Sequence, residues 1–170
     1  KEIIDYELQL KDLETIESRI QKVQKQAQTG GDKLAKMTYD ILLKYKDALE
    51  QGKSARSVQF ETKDEQKIAK ELFLLTSKPV LYVCNVDEKS AVKGNKYVEM
   101  VREAVKDESA DILIVAAKIE SEIAEFETYE ERQMFLNEIG LTESGVARLI
   151  KSAYQLLNLE TYFTAGVQEV

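Results

Sequence analysis

Apolar residues recur at alternating intervals of three and four from residue 13 onward, which is the spacing of a helix that packs along a partner helix. They are Leu13, Ile16, Ile20, Val23 and Ala27. After a turn cluster at 29–32, the same pattern resumes with Leu34, Met37, Ile41, Tyr45 and Ala48. The pattern predicts an antiparallel helical hairpin over residues 6–50. Gly30 is expected to end the first helix, Asp32 to cap the second and Gly52 to end it.

The pattern changes after residue 61. Thr62 with Glu65 three positions later resembles a capping box, which predicts a helix that carries Ile68, Leu72, Phe73 and Leu75. Continuous apolar runs at 80–84 and 111–118 predict strands, and the segment around 97–106 between them predicts a helix. Two helical stretches follow, at about 121–139 and 143–157. The β-prone segment 161–164 predicts the first strand of a further unit.

A strand, a helix and a second strand within about 40 residues predict a βαβ unit, and continuous apolar strands are typical of parallel sheets covered on both faces. The fold class is therefore expected to be α/β, with a parallel sheet, helices and an added antiparallel helical hairpin. We divide the chain into a helical coiled-coil arm at 1–57, an α/β part at 58–160 and the beginning of a further domain at 161–170.

Composition narrows the chemistry. Among 170 residues there is no histidine and one cysteine, Cys84, so catalysis by Ser-His-Asp or Cys-His and zinc sites of Cys and His are excluded. Carboxylates, lysines, amides or a carboxylate-bound hard metal remain. The net charge of −7 argues against a general binder of phosphate backbones. The single cysteine predicts a cytoplasmic location, and the absence of an apolar run of about 18 residues predicts no membrane association.

One segment, from Gly140 to Gly145, has the G-x-x-x-x-G spacing of a phosphate-binding loop. Val146 and Ala147 follow, however, where that loop requires Lys and Ser or Thr. The segment also follows a predicted helix, whereas a phosphate loop follows a strand. We therefore interpret it as a turn between helices, and the sequence contains no other phosphate loop.

Polar residues follow both predicted strands. The first strand ends in the cluster 85–88, Asn-Val-Asp-Glu, and the second ends in Ala116, Ala117 and Lys118. Neighbouring parallel strands would bring these clusters about 5 Å apart at the edge of the sheet where α/β proteins bind ligands. Such a pair of clusters would suit a flat nucleotide base. The Asn85 amide can both donate and accept hydrogen bonds, the backbone N–H groups of the two alanines are approachable, and the Lys118 stem can cover a ring face. A simple turn after each strand is the alternative, and these residues alone leave the two about equally supported.

These two clusters, Asn-x-x-Glu followed by Ala-Ala-Lys, resemble the fourth and fifth nucleotide motifs of P-loop GTPases. More specifically, they resemble the YchF-type members of the Obg family, in which Asn-Lys-x-Asp becomes Asn-x-x-Glu. ELQLKDLETIESRIQKVQKQAQTGGDKLAK is similar to the family's coiled-coil arm, and KPVLYVCNVDE to the second half of its G domain. IESEIAEFETYEERQMFLNEIGLTESGVARLIKSAYQLLNLETYFTAG is similar to the stretch that leads into its TGS domain.

The resemblance implies a nucleotide site. The residues that match the family's base-binding motifs are Asn85, Val86, Glu88, Ala116, Ala117 and Lys118. The resemblance implies ATP in preference to GTP, because Glu88 replaces the aspartate that binds the guanine N1–H and 2-amino groups. Asn85 can still pair with adenine N6 and N7. The chain has Ala116 where standard GTPases have serine, which removes the hydroxyl from that motif.

The resemblance also implies what this chain lacks. In the family the phosphate loop and switch regions precede the arm, and the TGS domain follows, so this sequence is expected to be a middle fragment. The whole protein is expected to hydrolyse ATP with Mg²⁺, whose ligands are not in this chain, and the fragment is expected to be inactive. The arm and the TGS domain are expected to bind ribosomes or another RNA-containing partner. The edge of the 80–84 strand, left without its neighbour, is expected to promote self-association.

The alternative is an interaction module in which the arm is the working part and the α/β part its anchor. The second arm helix and the hinge carry two aromatic residues and a mildly basic set that would suit RNA: Tyr39, Tyr45, Lys33, Lys36, Lys44, Lys46, Lys53 and Arg56. Core aromatics with solvated lysines would give the same pattern.

Overall fold

The computed structural model describes residues 1–29, 32–108 and 110–166, and the expected helix end at Gly30 lies outside them. The helices of the described residues are α1 (Glu2–Gln28), α2 (Lys33–Glu50), α3 (Lys63–Glu71), α4 (Lys96–Val105), α5 (Ala117–Glu125), α6 (Tyr129–Glu138) and α7 (Gly145–Leu156). The strands are β1 (Leu81–Asn85) and β2 (Asp111–Val115). Short 3₁₀ turns lie at Ala55–Ser57, Leu75–Ser77 and Glu88–Ser90.

The chain forms two compact units, Lys1–Lys78 and Pro79–Val170. The first contains the helical hairpin together with α3, and the second contains both strands and the last four helices. Since α3 packs with the hairpin, the compact unit extends beyond residue 57. The division at 57 and 160 stays a prediction.

The hairpin is antiparallel, as the heptad pattern predicts. Its core is formed by buried residues of α1, α2, α3 and the connecting turns: Ile16, Ile41, Leu42, Tyr45, Leu49, Ala55, Ala69, Leu72 and Leu74. The expected caps of α2 are confirmed, because Asp32 accepts a hydrogen bond from the Ala35 N–H at 3.0 Å and Gly52 has a φ of +72°. Leu34 is an exception to the pattern, since it lies in the first turn of α2 and is 64% exposed.

A buried carboxylate fixes the base of the hairpin. Asp12, which is 1% exposed, accepts hydrogen bonds from the Leu75 N–H, the Thr76 N–H and the Thr76 hydroxyl, each at 2.7 Å. Thr76 Oγ1 in turn accepts from the Ala55 N–H at 2.8 Å. The Gln9 amide donates to the Gly52 carbonyl at 3.1 Å. These bonds tie the middle of α1 to two turns distant in sequence, so the root of the arm is held by polar contacts as well as by apolar packing.

The third helix is shorter than the apolar pattern predicts. The capping box of Thr62 and Glu65 is confirmed, but α3 ends at Glu71 and the next turn is 3₁₀. Phe73 lies beyond the end of α3, with a φ of +53° and 77% of its surface exposed, so its expected place in this helix is wrong. The reason is that Leu72 and Leu74 already fill the core, and the chain reverses at Phe73 to bring both inside.

The segment expected as one helix at 121–139 is two helices, α5 and α6. A second capping box, Thr128 with Glu131, begins α6, and the Arg132 guanidinium donates to the Phe126 carbonyl at 2.8 and 3.0 Å. Three residues separate the helices because this cap requires an extended Thr128. The strand expected at 161–164 is also absent from the described residues, which have no regular structure there.

We predict that Asp12→Asn lowers the free energy of unfolding by about 2–4 kcal/mol, because a buried carboxylate that accepts three hydrogen bonds loses an acceptor oxygen. Urea unfolding followed by circular dichroism measures this. Glu14→Gln is the matched control, since Glu14 forms only an exposed ion pair with Lys11 at 2.9 Å, and its effect should stay within about 0.5 kcal/mol. Equal effects of the two substitutions would contradict the anchoring role of Asp12.

Candidate functional site

The two strands end side by side, as predicted. β1 and β2 pair in parallel with Asn85 opposite Val115, and the ladder continues one residue further through a hydrogen bond from the Val86 N–H to the Val115 carbonyl at 2.8 Å. The second apolar run ends as a strand at Val115, however. Ala116 occupies the N-cap position of α5 without a side-chain hydrogen bond, and Ala117 and Lys118 lie in the first turn of that helix rather than in the strand.

Asn85 joins the two strand ends. Its side-chain oxygen accepts a hydrogen bond from the Ala117 N–H at 3.0 Å, across 32 residues of sequence. Ala117 is the first residue of α5, where an N–H has no partner within the helix, so Asn85 supplies the cap that Ala116 cannot. This bond fixes the direction of the amide: its oxygen points to Ala117, and its NH₂ group is left for another acceptor. The Ala117 N–H itself is therefore already hydrogen-bonded to Asn85.

Val86 and Ala116 lie under the site rather than on it. Ala116 is 3% exposed and belongs to a buried cluster with Ile119, Ile123 and other apolar residues, and Val86 is half-buried against the same cluster. Their side chains therefore hold the two turns together. Any contact that Ala116 makes with a ligand would come from its backbone.

Glu88 and Lys118 contact each other. Their carboxylate and ammonium groups form an ion pair that bridges the turn after β1 and the first turn of α5. The side chains are 48% and 73% exposed, and the Lys118 ammonium also lies 3.8 Å from a Glu122 oxygen. The hydrogen bond and charge of Glu88, followed by the charge of Glu122, raise the pKa of Lys118 above its ordinary value of 10.5. The two residues are thus brought together as the motifs predict.

Asp87, between these residues, has a local role. Its carboxylate accepts a hydrogen bond from the Ser90 N–H at 2.9 Å and so caps the 3₁₀ turn Glu88–Ser90. Of the four residues after β1, Asn85 and Glu88 therefore reach toward β2 and α5, while Asp87 shapes the turn.

No motif in the sequence marks the contribution of α7 and of Glu120. The Glu120 carboxylate accepts hydrogen bonds from the Gly145 N–H at 2.6 Å and the Val146 N–H at 3.2 Å, which satisfies two free donors at the start of α7. A Cβ atom at Gly145 would lie 2.8 Å from Glu120 Oε1 and 3.0 Å from Val115 Cγ1. The second glycine of the G-x-x-x-x-G segment is therefore packed closely against Glu120 and Val115, and any side chain there would displace one of them. The interpretation of that segment as a turn between helices is confirmed.

Arg148 of α7 protects the outer side of β2. Carbonyls alternate sides along a strand, and since Val115 O faces β1, Ile114 O faces away from it. Arg148 Nη2 donates to that Ile114 carbonyl at 2.9 Å. Val83, in the middle of β1, is 50% exposed. No sequence motif marks Arg148, because its role depends on the arrangement of α7 beside the sheet.

No group of three or more His, Cys, Asp and Glu side chains in the described residues is arranged to hold a metal ion. Among the helices of the same residues, none combines the length and the apolar character that crossing a bilayer requires.

Comparisons with known proteins agree with the resemblance seen in the motifs. The chain is 54% identical over 171 residues to the ribosome-binding ATPase YchF of Bacillus subtilis, covering 99% of this chain and 46% of the relative. It is 39% identical over 173 residues to Obg-like ATPase 1 of Rattus norvegicus, of which it covers 43%. No protein-family model matches the chain.

The fold agrees as well. The structure of the Schizosaccharomyces pombe YchF GTPase matches with a TM-score of 0.81 at 27% identity, over 96% of this chain and 45% of that one. The chain spans about half the length of the curated relatives it matches. It is homologous to YchF-type proteins over almost its whole length, and its helix-rich α/β fold matches part of a YchF G domain.

We predict that Glu88→Gln lowers the pKa of Lys118 toward 10.5, because it removes the main cause of the upward shift. The pair's stabilising effect is present below pH 10.5 and is lost as pH rises through the raised pKa. An NMR titration of the Lys118 side chain between pH 8 and 12 measures this pKa and the pH range over which the ion pair is lost. Glu122→Gln is the matched control and should move the pKa less. An equal or larger effect of Glu122→Gln would contradict the assigned partner.

Proposed function

We propose that this chain, homologous to YchF-type proteins, carries the base-binding half of an adenine-nucleotide site in a ribosome-associated P-loop ATPase. The observation that carries the proposal is the hydrogen bond from the Ala117 N–H to Asn85 Oδ1, because it joins the two motif segments at one edge of the sheet. The printed names of the relatives, ribosome-binding ATPase and Obg-like ATPase, support the nucleotide and the ribosome at the level of the whole protein.

Asn85 is the residue that recognises the base in this proposal. Its NH₂ group would donate to purine N7, and the second lone pair of its oxygen would accept from the adenine 6-amino group. Guanine presents O6 instead of an amino group at that position, so the amide oxygen would face another acceptor. The amide orientation fixed by Ala117 would suit adenine, but the guanine-binding motif Asn-Lys-x-Asp has the same asparagine, so the preference for adenine is assigned to Glu88.

Glu88 is the residue to which the proposal assigns this preference. In the usual motif an aspartate at this position binds the N1–H and 2-amino donors of guanine. The longer Glu88 side chain is held instead by Lys118, so it is drawn toward α5. Lys118 would lay its methylene stem against the ring face, and Val86 with the Ala116 and Ala117 backbone would form the floor beneath it. This arrangement supports ATP in preference to GTP.

The triphosphate and its Mg²⁺ would be held by parts of the protein outside this chain. The described residues offer no group of three potential ligands for a metal, and Gly140–Gly145 is a helix connection rather than a phosphate loop. ATP hydrolysis to ADP is therefore proposed for the whole protein, and the 170 residues alone are expected to be inactive. A cytoplasmic location follows from association with ribosomes.

A second candidate function is that of an interaction module in which the arm binds the partner. The Asp12 network would then hold the root of the arm on the turns at 52–57 and 75–77. A binder of this kind would keep its partner when Asn85 is replaced. Self-association through the exposed side of β1 remains a third property to be tested.

We predict that adenosine nucleotides perturb the NMR signals of residues 85–88 and 116–118, and that guanosine nucleotides bind at least 10-fold more weakly. Asn85→Ala should weaken ATP binding by at least 10-fold, because both amide contacts to the base are lost. The matched control is Asn137→Ala, at an exposed position of α6, which should leave binding within 2-fold. Phosphate release measured on the same samples should not exceed the background.

Three outcomes would contradict the proposal. A guanosine preference would refute the role of Glu88. Equal weakening by the two asparagine substitutions would refute the site. Hydrolysis that persists through rigorous purification would refute the assignment of the phosphate-binding groups to other parts of the protein.

A further inference from the structure

The second motif of the candidate base site, residues 116–118, lies in a short segment whose two ends both contact α7. Before the motif, the Ile114 carbonyl accepts a hydrogen bond from Arg148 Nη2 at 2.9 Å. After the motif, the Glu120 carboxylate accepts hydrogen bonds from the first two N–H groups of α7 at 2.6 and 3.2 Å. The helix α7 therefore bridges the two ends of the segment that carries the motif.

Glu120 also belongs to the turn that contains the motif. Its own N–H donates to the Ala116 carbonyl at 3.1 Å, which closes the first turn of α5 around Ala117 and Lys118. A change in the position of Glu120 therefore changes the position of the turn in which the Ala117 N–H donates to Asn85. The contact with α7 and the candidate base site are thus linked within one helical turn.

The contact between Glu120 and α7 is directional and closely packed. Gly145 and Val146 supply N–H groups that have no acceptor within the helix, and the helix dipole also favours a carboxylate at this end. Both Glu120 oxygens are used, Oε1 by the first N–H and Oε2 by the second. A Cβ atom at Gly145 would lie 2.8 Å from Glu120 Oε1, so the absence of a side chain there lets the carboxylate approach.

The other contacts of this turn do not fix its direction as well. Ile119 and Ile123 bury one side of α5 in an apolar cluster, but such packing is non-directional and permits small rotations and shifts. The ion pair of Lys118 with Glu88 is exposed, and an exposed pair contributes little stability. The two hydrogen bonds from α7 to Glu120 supply the direction that these contacts lack.

We infer that Glu120 is a positioning residue of the base site, which holds the first turn of α5 against α7 and so keeps Ala117 and Lys118 in register with Asn85. The inference rests on the adenine-nucleotide site proposed above and adds to it a residue that is not proposed to touch the nucleotide. A residue that only capped α7 would stabilise that helix without affecting the base. A positioning residue controls both the hydrogen bond from Ala117 to Asn85 and the affinity for ATP.

A matched control exists because two side chains cap α7 and only one of them belongs to α5. Ser144, in the connection before α7, accepts a hydrogen bond from the Ala147 N–H at 3.1 Å. Replacing either Glu120 or Ser144 by alanine removes an acceptor from the start of the same helix, so both substitutions should destabilise α7. Only E120A also releases the first turn of α5.

The test compares E120A with S144A in the 170-residue chain. We expect E120A to weaken ATP binding at least about 5-fold in a calorimetric titration, because the motif loses the support that holds its geometry. S144A should change the affinity by less than about 2-fold. E120A removes a negative charge, which by itself would favour an anionic nucleotide, so a loss of affinity is not an effect of net charge.

A second readout does not depend on the nucleotide. In the free chain, the Ala117 amide proton should move upfield in E120A, as its hydrogen bond to Asn85 lengthens, and should keep its position in S144A. Far-UV circular dichroism and urea unfolding establish that both variants are folded and compare their losses of stability.

Equal effects of E120A and S144A on ATP binding and on the Ala117 signal would overturn the inference, because Glu120 would then act only as a cap. Unchanged ATP affinity in E120A would overturn it as well. If E120A does not fold, E120Q, which keeps one acceptor oxygen, takes its place. E120Q should weaken ATP binding at least about 3-fold, and the wild-type affinity in this variant would be the contradicting result.

The failure of this inference is distinguishable from the failure of the nucleotide site. A wild-type chain that binds no ATP would refute the site, and the Ala117 signal would still decide whether Glu120 positions the turn. ATP binding that is lost in Asn85→Ala but kept in E120A would leave the site in place and overturn the role of Glu120.

Discussion

The hydrogen bond between Asn85 and the Ala117 N–H closes the turn after β1 onto the first turn of α5, and the candidate base site depends on it. Parallel pairing brings the two strand ends level, with Asn85 opposite Val115, but pairing alone would leave the turns free to diverge. The amide holds them by capping a helix that has no cap of its own. It also orients its NH₂ group outward, so one interaction serves both the stability of the turns and the proposed recognition of adenine.

Packing and polar contacts on several sides stabilise the hydrogen bond between Asn85 and Ala117. Ala116 and Val86 pack in the same apolar cluster beneath the two turns, and the ion pair of Glu88 and Lys118 bridges them above. At the outer side of the sheet, Glu120 caps α7, and Arg148 of α7 satisfies the Ile114 carbonyl. The other compact unit uses the same device in a buried form, since a single carboxylate, Asp12, holds the turn at 75–77.

Most of the helices and strands, and the residues of the candidate site, were predictable because they depend on interactions between residues close in sequence. Capping boxes, helical spacing and apolar strands mark their elements locally, and the motif spacing after each strand identifies Asn85, Glu88 and Lys118 as neighbours. What the sequence could not reveal depends on packing between distant elements. The edge-on contact of Tyr45 with Phe60 and the positive φ of Phe73 follow from how α3 folds back onto the hairpin. The role of Arg148 follows from the position of α7. The break at Thr128 was the exception, because its Thr-x-x-Glu signal was present in the sequence.

The central claim is that the two strand ends form one base site, and intermolecular NOEs from a bound adenine nucleotide test it most directly. The account predicts that the base protons H8 and H2 of a single bound molecule show NOEs both to the Asn85–Glu88 turn and to the first turn of α5, including the Lys118 methylene groups. NOEs to only one of these segments, or to residues elsewhere in the chain, would contradict it.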